Sequence, residues 1–313
     1  MSHPLIRATD LRKVYRTKSG RSRVERTALD GTSVEVRAGQ RLALVGANGS
    51  GKSTLLRILA GIEPPDSGQV EYRNGSGQTI THREAASRMG VVFQSPGLDR
   101  LLTVEENLRT QAALYGVADA SERVRECAEF VGMTDRLGDR VGGLSGGLAR
   151  RADLARAMIS RPSVLLLDEP LVGLDAESRD VFLRGLRELA AGDPSFTLVT
   201  SSHAPEEIRL ADEVVVLDGG RIVASGDPNQ IARDRFEGCE ALAIVDAAAV
   251  PEVQGLLTFR AGEQTIVGGE RQAIEVLALA QSRAGNAVEL REPDFVSAYR
   301  LMLAESSIVE ATP

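Results

Sequence analysis

The chain has 313 residues, 42% hydrophobic and 26% charged, with a formal net charge of −7; this is an ordinary globular composition, with a length suited to about two domains. The acidic balance argues against a nucleic-acid surface, so no nucleic-acid partner is expected. No apolar run approaches the ~20 residues needed to span a bilayer, so any membrane role has to be borrowed from another chain. The opening MSHPLIRATD lacks the apolar core of a signal peptide. The only two cysteines, Cys127 and Cys239, stand in no metal-ligand spacing and read as buried thiols in a reducing compartment.

In chain order, PLIRATDL and TSVEVRAG read as strands. The basic stretch RTKSGRSRVER at 16–26 reads as a solvated connection, with lipid head-group contact as the alternative. RLALVG, an apolar run ending in glycine, has the pattern of a buried parallel strand. Helical periodicity covers 51–60, and the strand-like runs QVEYRN and MGVVFQ follow between residues 69 and 94. Residues 103–132 read as helical throughout, opened by a capping box of Thr103 and Glu106. Another helix starts at Ser145. SVLLLDEP at 163–170 is a second buried strand, followed by a helix over 176–190 and the strand FTLVTSS at 196–202. DEVVVLDGGRIVASGD reads as a hairpin turning at Asp218-Gly219-Gly220. Alternating strands and helices over 41–226 predict an α/β sheet core. After about residue 236 the texture changes to a small α+β unit: ALAIVDAA, LLTFRAGEQTIVGG, an Ala-rich helix over 270–284, AVELRE and a helix over 294–304.

The chemistry concentrates at a few points. GANGSGKST, Gly46 to Thr54, follows a buried strand and opens a helix. Gly46, Gly49 and Gly51 permit tight turns, so that the backbone of the loop Gly46, Ala47, Asn48, Gly49, Ser50, Gly51 can face phosphates. Lys52 would set a charge on the β/γ-phosphates, Ser53 would ligate Mg²⁺ and Thr54 would contact the α-phosphate region. VLLLDEP puts two carboxylates at a strand end. Asp168 would hold Mg²⁺, and Glu169 would orient or deprotonate the attacking water. Taken alone, such a pair is also what a strand reaching solvent looks like. Gln94 closes MGVVFQ, where its side chain could reach Mg²⁺ or the lytic water; a solvated turn is the plainer alternative. His203 follows FTLVTSS at the sheet edge where ligands bind in open α/β folds and could hydrogen-bond a γ-phosphate, while His3 and His82 read as structural. Tyr15 could stack on adenine or simply pack. Ser145, Gly146 and Gly147 in LSGGLARRADLARAM head a helix, a second phosphate-binding design that would equally serve as an ordinary N-cap.

The ordered set Tyr15, GANGSGKST, Gln94, LSGGLARR, LLLDEP, GLD (173–175) and His203 resembles that of the ATP-binding subunits of ABC transporters, over about residues 5–235. The resemblance implies a P-loop ABC ATPase core over 1–235, with a helical subdomain at about 95–160, and a small accessory or regulatory domain over 236–313. It implies MgATP as cofactor, with Glu169, His203, Lys52 and Gln94 catalytic and Ser53, Gln94 and Asp168 on the metal. It also implies a head-to-tail dimer, either a homodimer or one with a paired ATPase subunit, in which Ser145, Gly146 and Gly147 close on ATP held by the partner and Asn48 and Asp175 sit at the interface. Separate transmembrane permease subunits and a peripheral place on the cytoplasmic face of the membrane follow from the same resemblance. Leu148 departs from the pattern, since many members have glutamine there; backbone contacts survive the change. With PGLDRLLTVEENL and the closing ELREPDFVSAYRLML, it resembles the class exporting drugs and polysaccharides. The rivals are a soluble mechanical ABC ATPase, which usually carries tandem cores or coiled-coil insertions, and a nucleotide-gated module that scarcely hydrolyses, which Glu169 and His203 disfavour.

Overall fold

A computed structural model describes residues 3–19, 22–203, 208, 211–246, 250, 253, 255–261 and 263–310. The elements begin with β1 (Pro4–Ser19), β2 (Ser22–Arg37), β3 (Arg41–Val45), α1 (Lys52–Leu59), β4 (Ser67–Arg73), β5 (Thr79–Ile80), α2 (His82–Ala86) and β6 (Met89–Val92). The middle holds α3 (Val104–Leu114), α4 (Ala120–Phe130), α5 (Gly146–Met158), β7 (Val164–Asp168), α6 (Ala176–Gly192) and β8 (Thr197–Ser202). The rest comprises β9 (Glu213–Asp218), β10 (Arg221–Gly226), α7 (Pro228–Arg235), β11 (Ala241–Val245), β12 (Leu257–Ala261), β13 (Gln264–Gly269), α8 (Arg271–Arg283), β14 (Val288–Arg291) and α9 (Phe295–Glu310).

The central sheet has the order β10-β9-β3-β8-β7-β6, with β3 parallel to both β8 and β9, and β7 parallel to β6 and β8. The carboxyl ends of β3, β7 and β8 therefore share one edge, which brings together the glycine loop, Asp168–Glu169 and His203. The side chains of β3 and β9 alternate between two layers, as strand geometry requires. Leu42, Leu44, Val215 and Leu217 face a core shared with α1 and an antiparallel sheet ordered β2-β1-β4-β5. Ala43, Val45, Val214 and Val216 face the opposite way. A second large core joins β6 and β7 to α3, α4, α5 and α6. The expected hairpin forms, with Gly219 and Gly220 at φ 51° and 80° turning β9 into antiparallel β10.

Three expectations need correction. The stretch 16–26 is not a connection: β1 and β2 pair through it, with Tyr15 opposite Arg26 and Arg16 opposite Glu25; Gly20 and Arg21 lie outside the described residues. The helix expected over 103–132 is two helices. Its capping box is present, Thr103 Oγ1 accepting from Glu106 N at 3.1 Å and Glu106 Oε2 from Thr103 N at 2.7 Å. The helix then stops at Leu114, just before Gly116 at φ 61°, the left-handed conformation that commonly ends helices. Strand β6 ends at Val92, so Gln94 lies in the loop beyond it.

The C-terminal strands form an antiparallel sheet, β12-β13-β11-β14. Ala241, Ala243 and Val245 face Ile274 and Leu277 of α8, whereas Leu242 and Ile244 pack with Ala298 and Leu301 of α9. Helix α9 also places Phe295 and Tyr299 on Ala43, Val45, Val214 and Val216 of the central sheet. The last helix is thus shared between the two sheets.

Candidate active site

The loop between β3 and α1 is shaped by steric necessity. A Cβ on Gly46 would lie 2.3 Å from Leu217 O and 2.4 Å from Ser50 Oγ, and one on Gly51 2.3 Å from Ala28 O. Gly49 and Gly51 have φ of 88° and 108°, values L-residues rarely adopt. Lys52 opens α1 at 4% exposure. Its Nζ donates to Gly46 O at 2.7 Å and Ala47 O at 3.1 Å and lies 3.7 Å from Glu169 Oε1. Burial pulls the ammonium below its ordinary pKa, against the opposing pull of Glu169 and Asp168. Ser50 Oγ is buried without a hydrogen-bond partner.

The end of β7 supplies the acids. Asp168, 1% exposed, accepts Ser53 Oγ at 2.9 Å and Ser201 Oγ at 2.7 Å on the same oxygen, Oδ1. Its Oδ2 is buried with no partner. A hard oxygen left unpaired beside a serine hydroxyl is a donor set suited to Mg²⁺. Glu169 has φ 46° and is 8% exposed. Its N–H donates to Ser201 Oγ at 2.9 Å, so one hydroxyl holds both acidic residues. Its carboxylate accepts from Gln94 Nε2 at 3.2 Å and lies 3.6 Å from His203 Nδ1.

Lys52, Gln94, Glu169 and His203 line a cleft of about 500 Å³ together with Tyr15, Asn48, Gly49, Gly51, Ser53 and Thr54. Tyr15 Oη donates to Glu63 Oε2 at 2.7 Å and lies 3.4 Å from Thr54 Oγ1. Four residues absent from the sequence-based set also line the cleft: Arg26, Ala28, Arg57 and Val172. Arg26 Nη2 donates to Gly49 O at 2.9 Å, and the Arg57 guanidinium lies 5.9 Å from the centre of the Phe93 ring. Reading 16–26 as paired strands would have set Arg26 beside Tyr15. The two serines closing FTLVTSS were the available signal for Ser201.

The serine-glycine helix head stays apart from the cleft. Ser145 caps α5, its Oγ accepting from Leu148 N at 3.3 Å. Ser145 and Gly146 are exposed and Gly147 is buried; none of the three is among the described residues lining the cleft. Asp175 caps α6, accepting from Ser178 N at 2.7 Å. Among the described residues no helix is long and apolar enough to cross a membrane.

The family described as ABC transporter matches residues 29–172. A Nod factor export ATP-binding protein I from Ralstonia nicotianae is 38% identical over 249 residues, 78% of this chain and 73% of that protein. A sulfate/thiosulfate import ATP-binding protein CysA 2 from Chromobacterium violaceum is also 38% identical, over 78% of this chain and 65% of its own length. Among solved structures, an ATP-binding subunit of an ABC transporter superposes with a TM-score of 0.63 at 26% identity, covering 74% of this chain and 92% of that one. A bacterial Atm1-family ABC exporter with ATP bound gives 0.60 at 28% identity, covering 74% of this chain and 40% of that one. The glycine loop over a buried lysine, the paired acids at the end of β7 and the detached serine-glycine helix head therefore have one common explanation: the chain belongs to the ABC transporter family, as one of its ATP-hydrolysing subunits.

Proposed function

We propose that this subunit powers an exporter by forming a head-to-tail dimer around two MgATP molecules, and that closing and reopening of the dimer drive separate permease subunits at the cytoplasmic face of the membrane. The observation that carries the reading is the exposed Ser145–Gly146 head, outside its own chain's cleft. A helix N-terminus with free N–H groups stabilises a γ-phosphate, and here that phosphate would belong to a partner protomer. The Nod factor exporters among the relatives favour export; the sulfate importer makes import the competing outcome.

Within the cleft Tyr15 stacks on the base, the loop from Gly46 to Thr54 holds the phosphates and Lys52 neutralises their charge. Ser53, Gln94 and Asp168 would hold Mg²⁺, which would offset negative charge on the phosphates. Glu169 takes a proton from water as its oxygen bonds to the γ-phosphorus. The bond from that phosphorus to the β–γ bridging oxygen breaks, and ADP leaves. His203 donates to the γ-phosphate.

Subunit mixing tests the composite site. Lys52→Ala and Ser145→Arg homodimers should each be nearly inactive. A mixed dimer has one site joining a sound loop to a sound head, so ATPase activity, or ATP-dependent dimerisation measured by light scattering, should return on mixing. No recovery in either assay despite verified subunit exchange refutes the trans arrangement.

A further inference from the structure

Arg150 lies on α5, five residues after the Ser145 cap, and is 4% exposed. A buried guanidinium usually pairs with a carboxylate. This one ends on main-chain carbonyls. Its Nη2 donates to Asp168 O and Glu169 O, both at 2.7 Å, its Nε to Pro170 O at 3.3 Å, and its Nη1 to Phe93 O. One side chain therefore ties the helix to two loops, the exit of β6 immediately before Gln94 and the exit of β7 at the acidic pair.

Glu169 makes this clamp consequential. At φ 46° it occupies a region that a non-glycine residue holds only when its surroundings impose it. Its N–H is fixed by Ser201 Oγ and its carbonyl by Arg150. Its carboxylate meets Gln94, whose preceding carbonyl is held by the same guanidinium. We propose that Arg150 is a positioning residue that sets the place of Glu169 and Gln94 and couples them to the helix head. Engagement of Ser145–Gly147 with one nucleotide then adjusts the general base that serves the other. The coupling rests on the head-to-tail dimer of the preceding section; the positioning of Glu169 does not.

Arg150→Lys is the discriminating variant. It keeps a positive charge on a long stem, but a compact ammonium does not reproduce the planar fork spanning three chain segments. Steady-state kcat and KM, ATP affinity by calorimetry, ATP concentration dependence and the thermal midpoint are measured on the same preparations. The expected result is a loss in kcat of ~10-fold or more, a part of the ~10²–10⁴-fold that a general base contributes. ATP affinity should stay within about threefold, which is under 1 kcal/mol, and cooperativity in ATP should be lost. The Arg150→Lys/Glu169→Gln double variant should be no slower than Glu169→Gln alone, because both lesions act through one base. Wild-type kcat in Arg150→Lys, a fall in affinity and thermal midpoint that accounts for the lost rate, or additive losses in the double variant would each overturn the positioning role. Retained cooperativity with reduced kcat would overturn the coupling. If the subunit-mixing experiment fails, the head-to-tail dimer falls, while the split between kcat and affinity still judges the positioning of Glu169.

Discussion

Phe295→Ala tests whether the C-terminal region can be separated from the ATPase core. Phe295 is 6% and Tyr299 3% exposed, and both lie on Ala43, Val45, Val214 and Val216. These four residues form the face of β3 and β9 turned away from α1, so α9 supplies part of the central sheet's second layer. Truncating a buried phenylalanine costs about 3–5 kcal/mol, transfer and cavity together. That compares with about 5–15 kcal/mol for the whole stability of a domain. Ending the chain at residue 235 does more, because it removes α9 altogether. Re-exposing three valines at about 1.5–3 kcal/mol each gives roughly 5–9 kcal/mol, an upper bound on the extended-chain reference. The shortened chain should therefore be insoluble or markedly destabilised. The chain contains no tryptophan, so urea unfolding is followed by circular dichroism and tyrosine emission, with ATP protection reporting on the core. Phe295→Ala should lower the midpoint of the transition that ATP protects. The reasoning fails if Phe295→Ala shifts only a separate transition insensitive to ATP, or if a chain ended at residue 235 is soluble and binds ATP with full affinity.

Glu169→Gln keeps the side chain's size but removes the base; turnover should fall by ~10² or more while an ATP-bound dimer accumulates on a sizing column, and wild-type phosphate release would remove Glu169 from the chemistry. Tyr72 is buried and its phenol is pushed from 10.0 to about 12. Because the folded state holds that proton more tightly, its contribution is complete below pH ~10 and is lost as pH rises towards ~12, a change of about 2–3 kcal/mol. Tyr72→Phe should flatten this alkaline limb in thermal melts, and an unchanged limb would show that the phenol is not its source.

The legible parts of the chain were those in which one local pattern forces one local geometry. The glycine loop was readable because steric contact at Gly46 and Gly51 leaves no alternative to glycine, and the acidic pair because a five-residue run buried along its whole length, Val164–Asp168, can end only at a sheet edge. The arms of β1 and β2 were not readable. Their charged residues satisfy one another across strands, as Arg16 and Glu25 do at 2.9 Å, and this leaves no apolar alternation to detect. Ser201 escaped because a small hydroxyl carries no periodic signal, although it fixes both acids. Helix α9 was visible as a helix. That its apolar residues divide between two sheets depends on contacts with strands distant in the chain, which periodicity does not encode.

Leu148 shows how the helix head tolerates change. Its side chain packs against the helical core, while its N–H donates to Ser145 Oγ at 3.3 Å. The groups a helix N-terminus offers a phosphate are main-chain N–H groups, so glutamine and leucine at this position present the same backbone. The constraint falls on the residues that fix the direction of that backbone. Gly147 is one: a Cβ there would meet Ser178 Oγ at 3.2 Å, and Ser178 in turn donates its N–H to Asp175. Arg150 is another, because it anchors the helix from below through four carbonyls. Substitution at 148 should therefore cost packing, whereas substitution at 147 or 150 should disturb the aim of the head, and with it the base that shares the same support.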